Sequence, residues 1–319
     1  MIKRTLYFGS NSYLGTKNEQ LVVRFENPEN PPATIPIEDI GVIILDAHKL
    51  TISQKIISKL LHNNVALIVC DERHMPQGLM LNLDGNTVQQ ERYKYQVEAS
   101  LPLKKNLWQQ TVKAKIRNQK SLLMNLNIDT MISSHHINKK QFENMQYWEK
   151  SVKSGDPDNY EGRAAAFYWK TIFSDIIPNF KRGRFENPPN NLLNYGYAIL
   201  RAVIARSLTA SGLFPIFGIY HHNKYNAYAL ADDIMEPYRP FADEIVRDIC
   251  EKYYSEDWQT EGFDLTPEIK KELLQIPVID VIIDGKKSPL MNASLRTSAS
   301  LFHCFVGNSR KILYPEIET

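Results

Sequence analysis

The sequence predicts an α+β protein: a small N-terminal β-sandwich-like domain over residues 1–86, followed by a larger all-helical domain over 87–319. Three observations lead there. Up to Asn82, short aromatic and β-branched runs alternate with Gly, Asn, Ser and Pro; Asp84-Gly-Asn86 breaks the pattern; and from Val88 onward apolar residues recur at threes and fours. A chain of 319 residues is long enough to build two cores.

Taken in order, Thr5–Phe8, Tyr13–Thr16 and Gln20–Phe25 read as strands, and the proline-rich Asn27–Pro32 as a loop. Asp39–Leu45 is a buried strand. Ser53 caps a helix through His62, with Ile56, Ile57, Leu60 and Leu61 on one face, and Val65–Cys70 and Gln77–Asn82 complete the strands. His48, His62 and His74 read as turn or edge residues, and this part holds no catalytic constellation. Helices follow at Val88–Ala99 and Leu103–Leu126. The second carries Lys104, Lys105, Lys113, Lys115, Arg117 and Lys120, with no acid between Glu98 and Asp129. Such a run is a solvated face or a phosphate-facing surface. Ser154–Asp158 is a loop leading into the next helix; a long helix runs from Asn191 to Ala210, and an amphipathic one from Ala242 to Tyr254. Ile276–Asp284 reads as a short hairpin arm and Leu290–Phe305 as a closing helix.

Thirty-eight basic against thirty-six acidic side chains leave +2, so any affinity for nucleic acid has to come from local patches. Cys70, Cys250 and Cys304 lie far apart without a CxxC pair, which argues against a disulfide framework or a zinc ribbon and fits a reducing compartment. The opening Met-Ile-Lys-Arg-Thr-Leu-Tyr-Phe enters a strand pattern directly. No signal peptide or membrane span is expected, and the predicted location is cytoplasmic.

Chemistry concentrates in one stretch. Gly218-Ile-Tyr-His221-His222 is followed by Asp232, Asp233 and Glu236-Pro237-Tyr-Arg239-Pro240. Imidazole nitrogen with carboxylate oxygen suits a borderline divalent ion, manganese more readily than calcium. Asp233 and Glu236 share one face if helical, and the prolines limit that helix to a first turn. The same Asp-x-x-Glu spacing also fits a capping box. A second informative piece is Tyr160-Glu161-Gly162-Arg163-Ala164-Ala-Ala166, which puts a carboxylate at the end of an almost bare helix face. A third, Phe180-Lys181-Arg182-Gly183-Arg184-Phe185, interleaves basic and aromatic residues in the manner of a phosphate clamp.

Together, Glu161-Gly-x-x-Ala, the Asn187-Pro-Pro-Asn-Asn-Leu-Leu-Asn-Tyr-Gly-Tyr segment and Gly218-x-x-His221 … Asp233-x-x-Glu236-Pro-x-Arg239 resemble the CRISPR-associated spacer-acquisition integrase. That family is the metal-dependent DNA endonuclease of CRISPR adaptation in prokaryotic antiviral defence. The Glu-Pro at Glu236 is similar to its type II branch. The resemblance extends over the whole chain and implies a Mg2+ or Mn2+ ion held by Glu161, His221 and Glu236. His222 stands as an alternative imidazole, and Asp233 as a supporting or rival ligand. It also implies that a DNA 3′-OH attacks a phosphodiester. On the basic-aromatic pattern, Lys181, Arg182 and Arg184 are expected to contact DNA phosphates beside that site, with Arg239 as a further DNA-binding residue. The implied assembly is a homodimer bridged by a small ferredoxin-like partner into a heterohexamer, with other type II adaptation proteins as further partners. Its DNA is the double-stranded prespacer and the CRISPR repeat. Two rival readings use the same residues: a structure-selective repair nuclease, and a non-catalytic DNA scaffold in which Asp233-x-x-Glu236 caps a helix.

Overall fold

The computed structural model describes residues 3–27, 29–126, 139–183, 187–221, 223–253 and 264–318. Eight strands come first: β1 (Arg4–Phe8), β2 (Ser12–Lys17), β3 (Gln20–Phe25), β4 (Ala33–Pro36), β5 (Ile40–Leu45), β6 (Leu50–Ile52), β7 (Ala66–Cys70) and β8 (Pro76–Met80). Helix α1 (Gln54–His62) lies between β6 and β7. They form two four-stranded sheets, ordered β4-β3-β2-β6 and β1-β5-β7-β8. In the second sheet β5 pairs parallel with both β1 and β7.

Alternation along these strands explains the layering. Side chains of successive strand residues point to opposite faces. Ile43 and Leu67 therefore enter a core with Leu14, Leu21 and Val23 of the facing sheet and Ile56 and Leu60 of α1. Val42, Ile44, Ala66 and Ile68 point the other way, into the core of the helices. A parallel strand buried on both faces reads as an unbroken apolar run, as Ile40-Gly-Val-Ile-Ile-Leu45 does. Sequence pattern missed β4 and β6. Strand β4 carries Pro36 and is tolerated because it lies at a sheet edge, while β6 has three residues defined only by pairing with β2.

The helices are α2 (Gln89–Val97), α3 (Leu101–Asn125), α4 (Lys139–Ser151), α5 (Tyr160–Thr171), α6 (Asn190–Ala210), α7 (Ala229–Met235), α8 (Arg239–Tyr253), α9 (Pro267–Leu273) and α10 (Leu290–Phe305). The helical part is not purely helical. The expected hairpin arm forms as β9 (Asp280–Ile283) and β10 (Lys286–Pro289), and β11 (Pro315–Glu316) pairs with β9. The prolines near Glu236 do not cut the helix to one turn. Pro237 sits in a 3-10 turn, Glu236–Tyr238, that leads straight into α8, and Pro240 lies in the first turn of α8, where no intrahelical N–H is lost. Among the described residues no helix is long and apolar enough to cross a membrane.

One buried ion pair ties sheet to helices. Lys270 of α9 reaches Asp46 Oδ2 at 2.7 Å, just beyond β5, and the Tyr7 hydroxyl donates to the same oxygen at 2.5 Å. His74 Nδ1 lies 2.8 Å from the other oxygen, Oδ1. Replacing Lys270 by Ala strands the Asp46 charge away from water, and the expected loss is about 3–5 kcal/mol. Urea denaturation measures it; a loss below ~1 kcal/mol would show that Asp46 is held without its cation.

Candidate functional site

The site is built on α3. Ser100 caps this helix, its hydroxyl accepting from the Leu103 amide. Trp108, Thr111, Val112, Lys115, Gln119 and Leu122 recur at threes and fours and are all buried. Lys115 is thus a charge within an inward-facing stripe. The expected solvated or phosphate-facing run divides accordingly: Lys115 turns inward, while Arg117 and Lys120 pair with Glu149 of α4 at 2.9 and 2.6 Å.

Two carboxylates from distant elements converge on Lys115. Glu161 arrives on the first turn of α5, where Asp156 accepts from the amides of Tyr160 and Glu161 and Asn159 accepts from that of Gly162. A Cβ at Gly162 would stand 2.8 Å from the Asn159 side-chain amide, so the cap itself requires the glycine. Glu236 arrives from the turn before α8, anchored where Asn118 of α3 donates to the Pro237 carbonyl at 2.7 Å. Lys115 Nζ pairs with Glu161 Oε1 and stands 2.6 Å from Glu236 Oε2. The other oxygen of Glu236 faces Arg239 Nε at 2.9 Å, a contact of charge rather than an aligned hydrogen bond. Burial opposes ionisation of Glu236, yet Arg239 and Lys115 prevail and hold its carboxyl down at about 2. Burial likewise opposes the Lys115 charge, and Glu236 and Glu161 raise its pKa regardless.

His221 belongs to a loop gathered around Asp233. One Asp233 oxygen accepts from the amides of Ile219 and Tyr220 at 2.7 and 2.9 Å; the other takes the His221 amide at 3.3 Å and pairs with His221 Nδ1. A Cβ at Gly218 would fall 2.5 Å from the His221 carbonyl oxygen and 2.8 Å from Asp233, which explains the Gly-x-x-His spacing. The Tyr220 ring stacks on Trp108 at 4.1 Å, and the same indole meets His221 edge-on at 5.6 Å. The hydrogen bond to Asp233 raises the His221 pKa, with Glu236 adding to the effect. Asp233 and Glu236 thus face different partners rather than closing a capping box.

Among the described residues no group of three acidic, histidine or cysteine side chains forms a ready-made metal cluster. The donor set nevertheless suits a divalent ion. The seat between Glu161 and Glu236 already holds a cation, the Lys115 ammonium, and His221 keeps Nε2 while Nδ1 is bound to a carboxylate, the usual way of orienting a metal-binding imidazole. His222 and Arg184 lie outside the described residues.

Beside Lys115 and Glu236 opens a cleft of about 1080 Å³ between the β7–β8 turn and helices α3, α6 and α8. Arg73, Arg182, Arg201 and Arg239 line it. Of the predicted clamp, Lys181 is exposed, whereas Arg182 is held inside the fold by Asn190 and Asn194 at 2.9 Å each. Arg239 lies over the Tyr197 ring at 4.4 Å. Sequence reasoning missed Arg73, Arg201, Asp243 and the inward role of Lys115, and gave Tyr197 no role beyond its place in the Asn187 segment. Of the four missed, only Lys115 had a signal, its place in the α3 stripe.

The profile of the family CRISPR associated protein Cas1 matches residues 6–276. The CRISPR-associated endonuclease Cas1 of Neisseria meningitidis serogroup C (strain 8013) is 32% identical over 319 residues, covering 99% of this chain and 97% of its own. A Cas1 of Francisella tularensis subsp. novicida (strain U112) is 26% identical over 77% of this chain and 78% of its own. Among solved structures, a casposase bound to integration product superposes with a TM-score of 0.77 at 21% identity, covering 98% of this chain and 92% of that one. A chain of a Cas6-RT-Cas1–Cas2 complex gives 0.73 at 19%, covering 99% of this chain and 36% of that one. At these identities the two structures speak for the fold.

Asp243, buried in the cleft wall, accepts from the hydroxyls of Tyr168 and Tyr197 at 2.8 and 2.5 Å. Burial pushes its carboxyl up to about 6 against those bonds and the nearby arginines. The folded protein therefore keeps this proton at a pH where the unfolded chain, near 3.8, has lost it. The stability it contributes is full below the unfolded value and lost as pH rises through about 6. Asp243→Asn should flatten that fall, read as urea midpoints at pH ~4 and ~7. Parallel pH curves for the two proteins would contradict the buried, protonated carboxyl.

Proposed function

Because the chain belongs to the CRISPR associated protein Cas1 family, we propose that it is a DNA endonuclease and integrase that inserts DNA fragments into a CRISPR array with a divalent ion at Glu161, His221 and Glu236. The observation that carries this reading is the convergence of Glu161 and Glu236 on one buried cation, with His221 oriented by Asp233 and within the electrostatic influence of Glu236. When bound, Mg2+ or Mn2+ supplies polarisation of the phosphodiester and stabilises in-line displacement by a 3′-OH. The chain's own residues do the rest. Arg239 fixes the second oxygen of Glu236, Asp233 holds the imidazole so that Nε2 is available, and Arg73, Arg182 and Arg201 give the cleft the charge to hold a phosphate backbone. DNA passes along this cleft with its reacting phosphate at the Lys115 end. Likeness to a chain of a Cas6-RT-Cas1–Cas2 complex supports a Cas2-type partner; a homodimer bridged by that partner into a heterohexamer is the assembly proposed from the sequence resemblance.

Glu161→Ala, His221→Ala and Glu236→Ala are each expected to lower strand transfer at least about a hundredfold while duplex binding persists, because each removes one ligand of a three-ligand site. An integration assay with Mn2+ and the Cas2-type partner reads this, with thermal melts to verify folding. Wild-type rates in the Glu236 variant at saturating Mn2+ would shift the assignment to Asp233. His222→Ala should be far milder than His221→Ala.

Arg73 is exposed and Arg201, which pairs with Asp232 at 2.7 Å, is partly so. Replacing both by Ala should weaken binding to every duplex sequence. For each phosphate contact given up, the slope of log affinity against log salt should become shallower by ~0.9. An unchanged slope would place the DNA elsewhere.

A further inference from the structure

Lys115 occupies the seat of the proposed ion. Its side chain is 8% exposed, and its ammonium is shared between Glu161 Oε1 and Glu236 Oε2, the carboxylates assigned to metal binding. One ammonium and one divalent ion cannot hold the same pair of oxygens at close range, since like charges repel strongly where water is scarce. Lysine is suited to yield the place, being a compact charge on a flexible four-carbon stem.

A second seat lies within its reach. Lys115 lines the cleft, and so does Gln119, one helical turn along α3 and therefore a neighbour on the same face. Gln119 is 3% exposed, and its Oε1 has no hydrogen-bond partner among the described residues. A buried carbonyl oxygen without a donor is costly and asks for one. The same cleft is lined by Arg73, Arg182, Arg201 and Arg239, which outnumber its acids Asp71, Glu236 and Asp243 and draw a phosphate.

We propose that Lys115 is an internal counter-ion with two positions: on Glu161 and Glu236 in the metal-free protein, and on Gln119 and a DNA phosphate once a divalent ion takes the carboxylates. It follows that metal and DNA bind cooperatively. Metal releases the ammonium that the phosphate receives, and by reciprocity DNA tightens metal binding by the same factor. This rests on the metal reading of the preceding subsection and gives Lys115 a positioning role, timing the site to assemble when both are present.

The test is a Mn2+ titration of the full chain by calorimetry and by the EPR signal of free Mn2+, with and without a short duplex and corrected for duplex alone. Wild type should bind Mn2+ weakly alone and about tenfold more tightly with DNA. Lys115→Met, which keeps length without charge, should bind Mn2+ about tenfold more tightly than wild type without DNA and gain almost nothing from the duplex. Equal or weaker Mn2+ binding by Lys115→Met would overturn the proposal. Glu161→Gln separates the two readings: if it binds Mn2+ as wild type does, the metal assignment has failed. Should Lys115→Met not fold, acylation of Lys115 in the wild type, followed by mass spectrometry, decides. Labelling should rise with Mn2+ and fall again on adding duplex; labelling indifferent to Mn2+ overturns the exchange.

Discussion

Everything at the candidate site depends on one buried ammonium between two carboxylates. Lys115 meets Glu161, 46 residues away, and Glu236 beyond it, and Arg239 takes the oxygen of Glu236 that Lys115 leaves free. Removing either inner charge, Lys115 or Glu236, takes the paired partner from an outer one, Glu161 or Arg239, the situation that makes a buried ion pair costly to break. A cluster of this kind adds little stability to the fold. What it does is hold two acids close together at neutral pH, with the Glu236 carboxyl ionised despite its burial.

Helix α3 is the axis on which the elements meet. Within eleven residues it presents Trp108 to the Tyr220–His221 loop, Lys115 to the two glutamates, and Asn118 to the turn after Glu236 and to the Pro315 carbonyl near the C-terminal end. The loop between Ser154 and Asp158 is tied to the same helix, through the bond from the Gly155 amide to the Lys105 carbonyl. Helix α5 therefore begins at a fixed place against α3, and Glu161 with it. The sheet contributes from the other side. Its β7–β8 turn supplies Arg73 to the cleft, and the Asp46–Lys270 pair holds the strand ends against α9.

The near-neutral charge of the whole chain conceals how its bases are distributed. Around the cleft, Arg182, Arg201 and Arg239 are each fixed by an amide, an acid or an aromatic face rather than waving in solvent. Such preorganisation reduces the rotamer entropy lost on binding a phosphate backbone. It also explains why the exposed Lys181 and the internally bound Arg182, neighbours in sequence, differ in what they offer to a ligand.

By itself the sequence determined the change from strands to helices and most of the longer elements in order, the apolar runs that bury β5 and β7 on both faces, the loop before Glu161, and the motifs holding Glu161, His221, Asp233 and Glu236. These are local properties: periodicity, caps and turn residues act over a few positions. The division of β5 between two cores, the edge strands β4 and β6, and the passage through Pro237 into α8 followed only from packing. Lys115 marks the limit most clearly. In sequence it was one of six bases on a helix, and its place in the stripe with Trp108, Val112 and Leu122 hinted only that it faces inward. Whether a lysine facing inward is tolerated, and what it does there, depends on acids brought from α5 and from the turn before α8. Only the tertiary structure places those charges, because burial of an ion is decided by its partners in space and not by its neighbours in the chain.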